Sequence, residues 1–167
     1  MFVTTLLVIA VLLGISAFFA GSETALTAVS RGRMHQMERD GSRAAANVNR
    51  LVADRERLIG ALLLANTFIN ILASSLMTSA LEDHLGPRAV AVTTAVMTLV
   101  ILVFAEVLPK TLAIARTDRF ALAVAVPLRG VIAVLAPIVG TVQWLVWRML
   151  QLFGVRSDEA ESTEAAH

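Results

Sequence analysis

The sequence predicts an all-α integral membrane fold: three transmembrane helices, short helices on the cytoplasmic surface, and a bent juxtamembrane belt helix. Three observations carry this. Of the 167 residues, 57% are apolar, against roughly 45–50% in an ordinary soluble domain. Only 16% are charged, against about 25%, and the mean hydropathy is +0.75. The charges are also segregated, leaving long uncharged runs separated by short arginine-rich stretches. A soluble domain of this size has no interior large enough for so much apolar surface.

The first uncharged run is Met1–Ser22, long enough for a hydrocarbon core that needs roughly 20 helical residues. No Lys or Arg precedes it, and Ala17-Phe18-Phe19-Ala20 makes a poor small-x-small site, which argues against a cleavable signal peptide. The second run is Leu58–Leu81 and the third is Ala89–Ala105, bounded by Arg88 and Glu106. The spans are expected at about 2–30, 58–81 and 89–108. Each must be helical, because a lone segment in lipid has to satisfy its own backbone hydrogen bonds.

Between the first two spans, 31–57 carries seven arginines (31, 33, 39, 43, 50, 55 and 57) among Leu, Met and Ala at helical spacing. Short helices resting on the membrane surface are expected there. The turn Glu82–Arg88 holds one basic residue, and Lys110, Arg116 and Arg119 follow the third span. By the positive-inside rule, 31–57 and the C-terminus are cytoplasmic and the N-terminus is outside. The plasma membrane is the expected location.

The fourth apolar stretch, Phe120–Leu150, is split by Arg129 and interrupted by Pro127 and Pro137, each of which removes a helix hydrogen bond. Trp144, Trp147 and Arg148 near its end suit the headgroup level. A bent belt helix over about 119–150 is expected, with a kinked fourth span as the alternative. From 151 to 167 the chain turns small and acidic, and a disordered tail is expected.

Several function classes are excluded early. A basic face with interleaved aromatics is lacking, so nucleic-acid binding has no support. With no cysteine, thiolate metal sites and thiol nucleophiles are out. No histidine lies inside a span to serve as a base for Ser22, which argues against an intramembrane hydrolase. The chain is not expected to be an enzyme.

What remains is oxygen chemistry. Asn66, Asn70 and Ser74 follow one another at intervals of four, on one helical face. An intramembrane Asn can simply bond to a neighbouring helix; two stacked amides suggest a polar cavity. Glu106 closes the third span, four residues before Lys110. It either pairs with that lysine at the interface or acts as a functional carboxylate at membrane depth. Pro109 cannot donate to Ala105 and crowds its carbonyl, so a helix break with a freed oxygen is expected beside Glu106. Gly14, Ala17, Gly21 and Ala25 form a small-residue stripe that permits close helix approach, with Ser22 at its inner end. Hydroxyl, amide, carboxylate and carbonyl oxygens together suit a hard cation such as Mg²⁺ rather than Zn²⁺ or Cu⁺.

Three segments carry a resemblance: Phe18-Phe19-Ala20-Gly21-Ser22-Glu23-Thr24-Ala25-Leu26, Leu64-Ala65-Asn66-Thr67-Phe68-Ile69-Asn70 and Phe104-Ala105-Glu106-Val107-Leu108-Pro109-Lys110. In this order and spacing they resemble the transmembrane domain of the CNNM/CorC magnesium-transporter family, over about residues 1–150. The resemblance implies a homodimer, a cytoplasm-facing Mg²⁺ site and Na⁺-coupled Mg²⁺ export by alternating access. The implied metal ligands are Ser22, Asn66, Asn70 and Glu106, with backbone oxygens near Ala20 and Gly21, while Pro109 and Lys110 form the helix break and gate. Relatives often carry Ser where this chain has Ala20, which leaves open the first-helix oxygen that reaches the metal. A Na⁺ site could overlap the Mg²⁺ site or use Thr24, Thr67 or Ser75. Relatives also continue into cytoplasmic CBS domains, so this chain is expected to be a piece of a longer protein. The alternative function is a membrane module that senses Mg²⁺ without moving it.

Overall fold

In the computed structural model, which describes residues 2–153, every regular element is helical. Helix α1, Phe2–Ala28, is followed by two short helices, α2 (Arg31–Arg39) and α3 (Arg43–Ala53). Ser30, Ser42 and Asp54 cap α2, α3 and the next helix by accepting from the backbone N–H three residues on, as short polar side chains do at helix starts. Between α2 and α3 the chain turns at Gly41, whose φ of +96° is costly for any residue with a Cβ. The N–H of Gly41 donates to Glu38 O and that of Ser42 to Met37 O, the paired bonds of a Schellman ending.

Helix α4 runs from Arg55 to Leu85, and α5 from Ala89 to Val100. Gly86 (φ +52°, ψ −132°) and Pro87 reverse the chain between them, so α5 lies alongside α4. The rings of Phe2 and His84 sit 5.7 Å apart, placing the start of α1 at the same end of the bundle as this turn. The arginine-rich α2 and α3 lie at the opposite end.

The third span does not break at Pro109. The chain passes from α5 through a π-helical stretch, Ile101–Val107, into α6, Leu108–Ala115. The N–H of Leu108 donates to Val103 O, five residues back, a wider register than the α-helix. A proline ring clashes with the carbonyl four residues earlier in a regular α-helix; widening the turn just upstream relieves that clash while the helix continues. The expected break is therefore a π segment, and Glu106 lies within it.

After Arg116, α7 runs without interruption from Thr117 to Leu152, through both Pro127 and Pro137. The helix expected at about 119–150 begins two residues earlier, and the prolines do not end it. By length and apolarity α1, the Arg55–Ala115 stretch and α7 could each cross a bilayer. The buried face of α7 is Ala121, Val124, Ala125, Leu128 and Ile132, the i, i+3, i+4 pattern of one helical stripe. It packs on α1, α3 and α4. The opposite face is bare, with Val134 75% exposed. Phe68, Leu99 and Ile114 are similarly exposed on the other helices, as lipid-facing side chains are. Arg148 lies 5.5 Å from the Trp144 ring. Of the expected acidic tail, Gln151 and Leu152 still belong to α7, and residues 154–167 lie outside the described part.

Candidate cation site in the bundle

Three helices bring polar side chains together at mid-depth. Ser16 is near the centre of α1 and fully buried. Its Oγ lies 2.5 Å from Asn66 Oδ1 and 2.7 Å from Asn70 Oδ1. The Nδ2 of Asn66 donates to Glu106 Oε1 at 2.8 Å, and Glu106 Oε2 meets Lys110 Nζ at 3.2 Å. A continuous polar chain thus joins α1, α4, the π segment and α6. The Ser16 hydroxyl lies within hydrogen-bonding reach of both amide oxygens and, with one O–H to give, donates to one of them at a time. The amides also carry N–H donors, one of which Asn66 gives to Glu106, so the cluster offers oxygens to a cation and N–H groups to the carboxylate.

The elements explain the convergence. The interval of four between Asn66 and Asn70 puts both amides on the α4 face toward α1. The π segment turns Glu106 toward Asn66. Only one carboxylate is present, and among the described residues no three His, Asp or Glu side chains come together. Neutral oxygens must therefore supply most of any coordination here, as they do for hard cations.

The predicted residues divide into two groups. Asn66, Asn70, Glu106 and Lys110 are brought together. Ala20, Gly21 and Ser22 are buried but face a different environment. The Ser22 hydroxyl donates to Phe18 O of its own helix at 2.6 Å, and the Ala20 carbonyl accepts from Thr24 at 3.2 Å. A Cβ on Gly21 would come within 2.8 Å of the Phe120 ring and 3.4 Å of Pro109 O, so Gly21 permits close packing against α6 and α7. The first-helix hydroxyl that reaches the two amides is that of Ser16, which the sequence reading did not single out. Pro109 is buried beside Gly21.

Two hollows adjoin Glu106. One, of about 460 Å³, is lined by Asn66, Asn70, Ser74, Thr78 and Glu106 among others. The second, of about 520 Å³, shares Ser74, Thr78 and Glu106 and adds Thr93, Thr94 and Thr98 from α5. By contrast, a hollow of about 930 Å³ between α4 and α7 is walled by Phe68, Val131 and other apolar side chains and offers a cation nothing.

The family sequence model described as the Cyclin M transmembrane N-terminal domain, CNNM, matches residues 7–166. The chain belongs to the CNNM family. Its relatives include the UPF0053 inner membrane protein YfjD of Escherichia coli, 36% identical over 86% of this chain. A UPF0053 protein of Haemophilus influenzae is 27% identical over 93% of it, and a chloroplastic DUF21 domain-containing protein of Arabidopsis thaliana is 30% identical over 90%. The chain spans 34% and 37% of the lengths of the two bacterial relatives. It is thus a multi-pass membrane domain of the CNNM type.

Proposed function

We propose that this CNNM domain transports a divalent cation, Mg²⁺, by alternating access around the cluster of Ser16, Asn66, Asn70 and Glu106. The observation that supports it most is the convergence of side-chain oxygens: Ser16 Oγ of α1 lies 2.5 and 2.7 Å from two amide oxygens of α4, and Asn66 reaches Glu106, the one carboxylate of the site. Mg²⁺ prefers six oxygens at about 2.0–2.1 Å and gives up water reluctantly. Glu106 offsets part of the lost hydration by charge, and the amide and hydroxyl oxygens fix the geometry. Lys110 is then the resident counter-charge: its ammonium neutralises Glu106 while the site is free, and it withdraws when the divalent ion arrives.

Na⁺ coupling completes this reading. An ion of lower charge at the same oxygens would reset the site for the next Mg²⁺. The arginine-rich 31–57 segment and the C-terminus face the cytoplasm and the Gly86 turn faces outward, in the plasma membrane. The working unit is a homodimer, joined in the longer protein to cytoplasmic CBS domains. No bond is made or broken, so the domain is not an enzyme.

The test is Mg²⁺ binding and flux in proteoliposomes under a Na⁺ gradient. Glu106→Gln keeps the side-chain shape and the Asn66 contact, and is expected to weaken Mg²⁺ binding at least tenfold and stop flux. Unchanged affinity in that variant refutes the assignment. Binding without flux in the unaltered protein replaces the transporter with a sensor.

A further inference from the structure

Asn66, Asn70, Ser74, Thr78 and Glu82 follow at intervals of four along α4. Four residues turn a helix by 40° more than one revolution at 3.6 residues per turn, so this file winds slowly around α4 from the amide cluster toward α5 and the Gly86 turn. It leads into the 520 Å³ hollow, whose other wall is Thr93, Thr94 and Thr98 and whose inner end is Glu106. The file ends at exposed Glu82, next to exposed Asp83, a pair of carboxylates at the mouth.

One hydroxyl in this hollow breaks a local rule. A threonine in an apolar helix ordinarily satisfies its O–H on the carbonyl one turn back. Thr78 does so on Ser74 O at 3.0 Å, Thr94 on Val90 O at 2.8 Å, and Thr98 on Thr94 O at 2.5 Å. Thr93 does not. It is 2% exposed, it lines the hollow, and among the described residues its Oγ1 is the buried side-chain polar atom with no hydrogen-bond partner. Its hydroxyl is shielded in this arrangement, so it is a bond left for water that enters as the hollow widens.

We infer that this groove is a water-filled half-path between Glu106 and the membrane face bearing the Gly86 turn, and that it passes a cation still wearing its water shell. The inference rests on the transport reading for its cargo, and on the groove alone for its water. Between Glu106 and the mouth the lining offers hydroxyls beside the apolar Met97, Ile101 and Leu102, and no carboxylate. Neutral hydroxyls cannot strip Mg²⁺, but those whose O–H is spent on the backbone still accept from the outward-pointing protons of the waters around it. Six waters at about 30 Å³ each fit within the hollow. Dehydration is thereby confined to the amide and carboxylate cluster, and the outer groove carries the hydrated ion to or from it.

The protein has no cysteine, so single substitutions report directly. Thr78→Cys and Thr98→Cys, both lining the hollow, reconstituted in liposomes, are treated with a membrane-impermeant cationic thiosulfonate from the side of the Gly86 turn. Leu99→Cys, 64% exposed on the lipid side, is the reference. Labelling at both groove positions at least tenfold faster than at the reference is expected. Equal rates at all three overturn the groove as a water path. Thr93→Val keeps the shape and removes the hydroxyl; it is expected to lower Mg²⁺ flux several-fold while equilibrium Mg²⁺ binding stays within twofold. Undiminished flux in that variant overturns the role of Thr93. Fast labelling together with full flux in Glu106→Gln refutes the ion-site assignment and leaves the water path standing.

Discussion

The two ends of the bundle are built on different terms. At the arginine-rich end, Leu26, Met34, Val48, Leu58, Leu62 and Leu128 are all nearly inaccessible and form one continuous core. It joins α1, α3, α4 and α7 and is tied at its rim by Arg33 to Asp118 and by Arg129 Nη1 to Asn47 Oδ1 at 2.7 Å. At the Gly86 end the buried core shrinks to Ile9, Ala73 and Met97, and the remaining space is the pair of hollows beside Glu106. Packed interiors switch between discrete arrangements rather than deform continuously. Under the proposed alternating access, one part must hold and one must give. The difference assigns the holding part to the arginine-rich end.

Two methionines allow the sharpest test, because they differ only in which end they occupy. Met34 is 0% and Met97 2% exposed. Met34→Ala opens a cavity in a closely packed core and is expected to cost about 2–5 kcal/mol. Met97→Ala sits against a hollow that already exists, so little new cavity forms; under about 2 kcal/mol is expected, since the cost of such changes grows with the cavity left behind. Thermal or denaturant unfolding in detergent measures both. Equal losses would mean that the Gly86 end is packed as tightly as the other.

A smaller effect sits at the boundary between the two ends. Ser16→Ala removes the hydroxyl that lies against both amide oxygens. Polar contacts between helices in a membrane average about 0.6 kcal/mol, so stability should fall by that order only. Mg²⁺ affinity should fall several-fold in the same variant, measured by calorimetry. A loss of stability with unaltered affinity would make Ser16 a packing residue.

Ser16 also marks where sequence reasoning stops. The long helices, the shorter helices of the arginine-rich segment and the meeting of Asn66 with Glu106 were legible, because charge exclusion and helical spacing leave direct traces. Ser16 was not, because a lone serine among Gly14 and Ala17 has the same signature as close packing; only the register between α1 and α4 shows which amides it meets. Ser22, in a more suggestive motif, spends its hydroxyl on its own helix. Pro109 announced an irregularity, but whether a proline breaks a helix or widens the preceding turn depends on neighbours holding the chain in line. Thr78 was available as the next step after Ser74. Thr93 was not, since its distinction is a bond that it fails to make.

The smallest expected effect is the rim tie at the arginine-rich end. Arg33 and Asp118 pair across 85 residues of sequence, with side chains 67% and 26% exposed. At such exposure, water and salt screen the attraction, and pairs of this kind are worth about 0.2–1 kcal/mol. Asp118 also lies in the first turn of α7, where a carboxylate is favoured by the helix dipole without any partner. A double-mutant cycle with Arg33→Gln and Asp118→Asn separates the two contributions, since the dipole part survives loss of the arginine. A coupling below about 1 kcal/mol that fades in high salt is expected. A larger, salt-insensitive coupling would show that the tie is shielded from water and that α2 and the start of α7 move as one body. The holding part of the molecule would then reach from its apolar core, which already takes in Met34 of α2 and Val48 of α3, out to the charged rim.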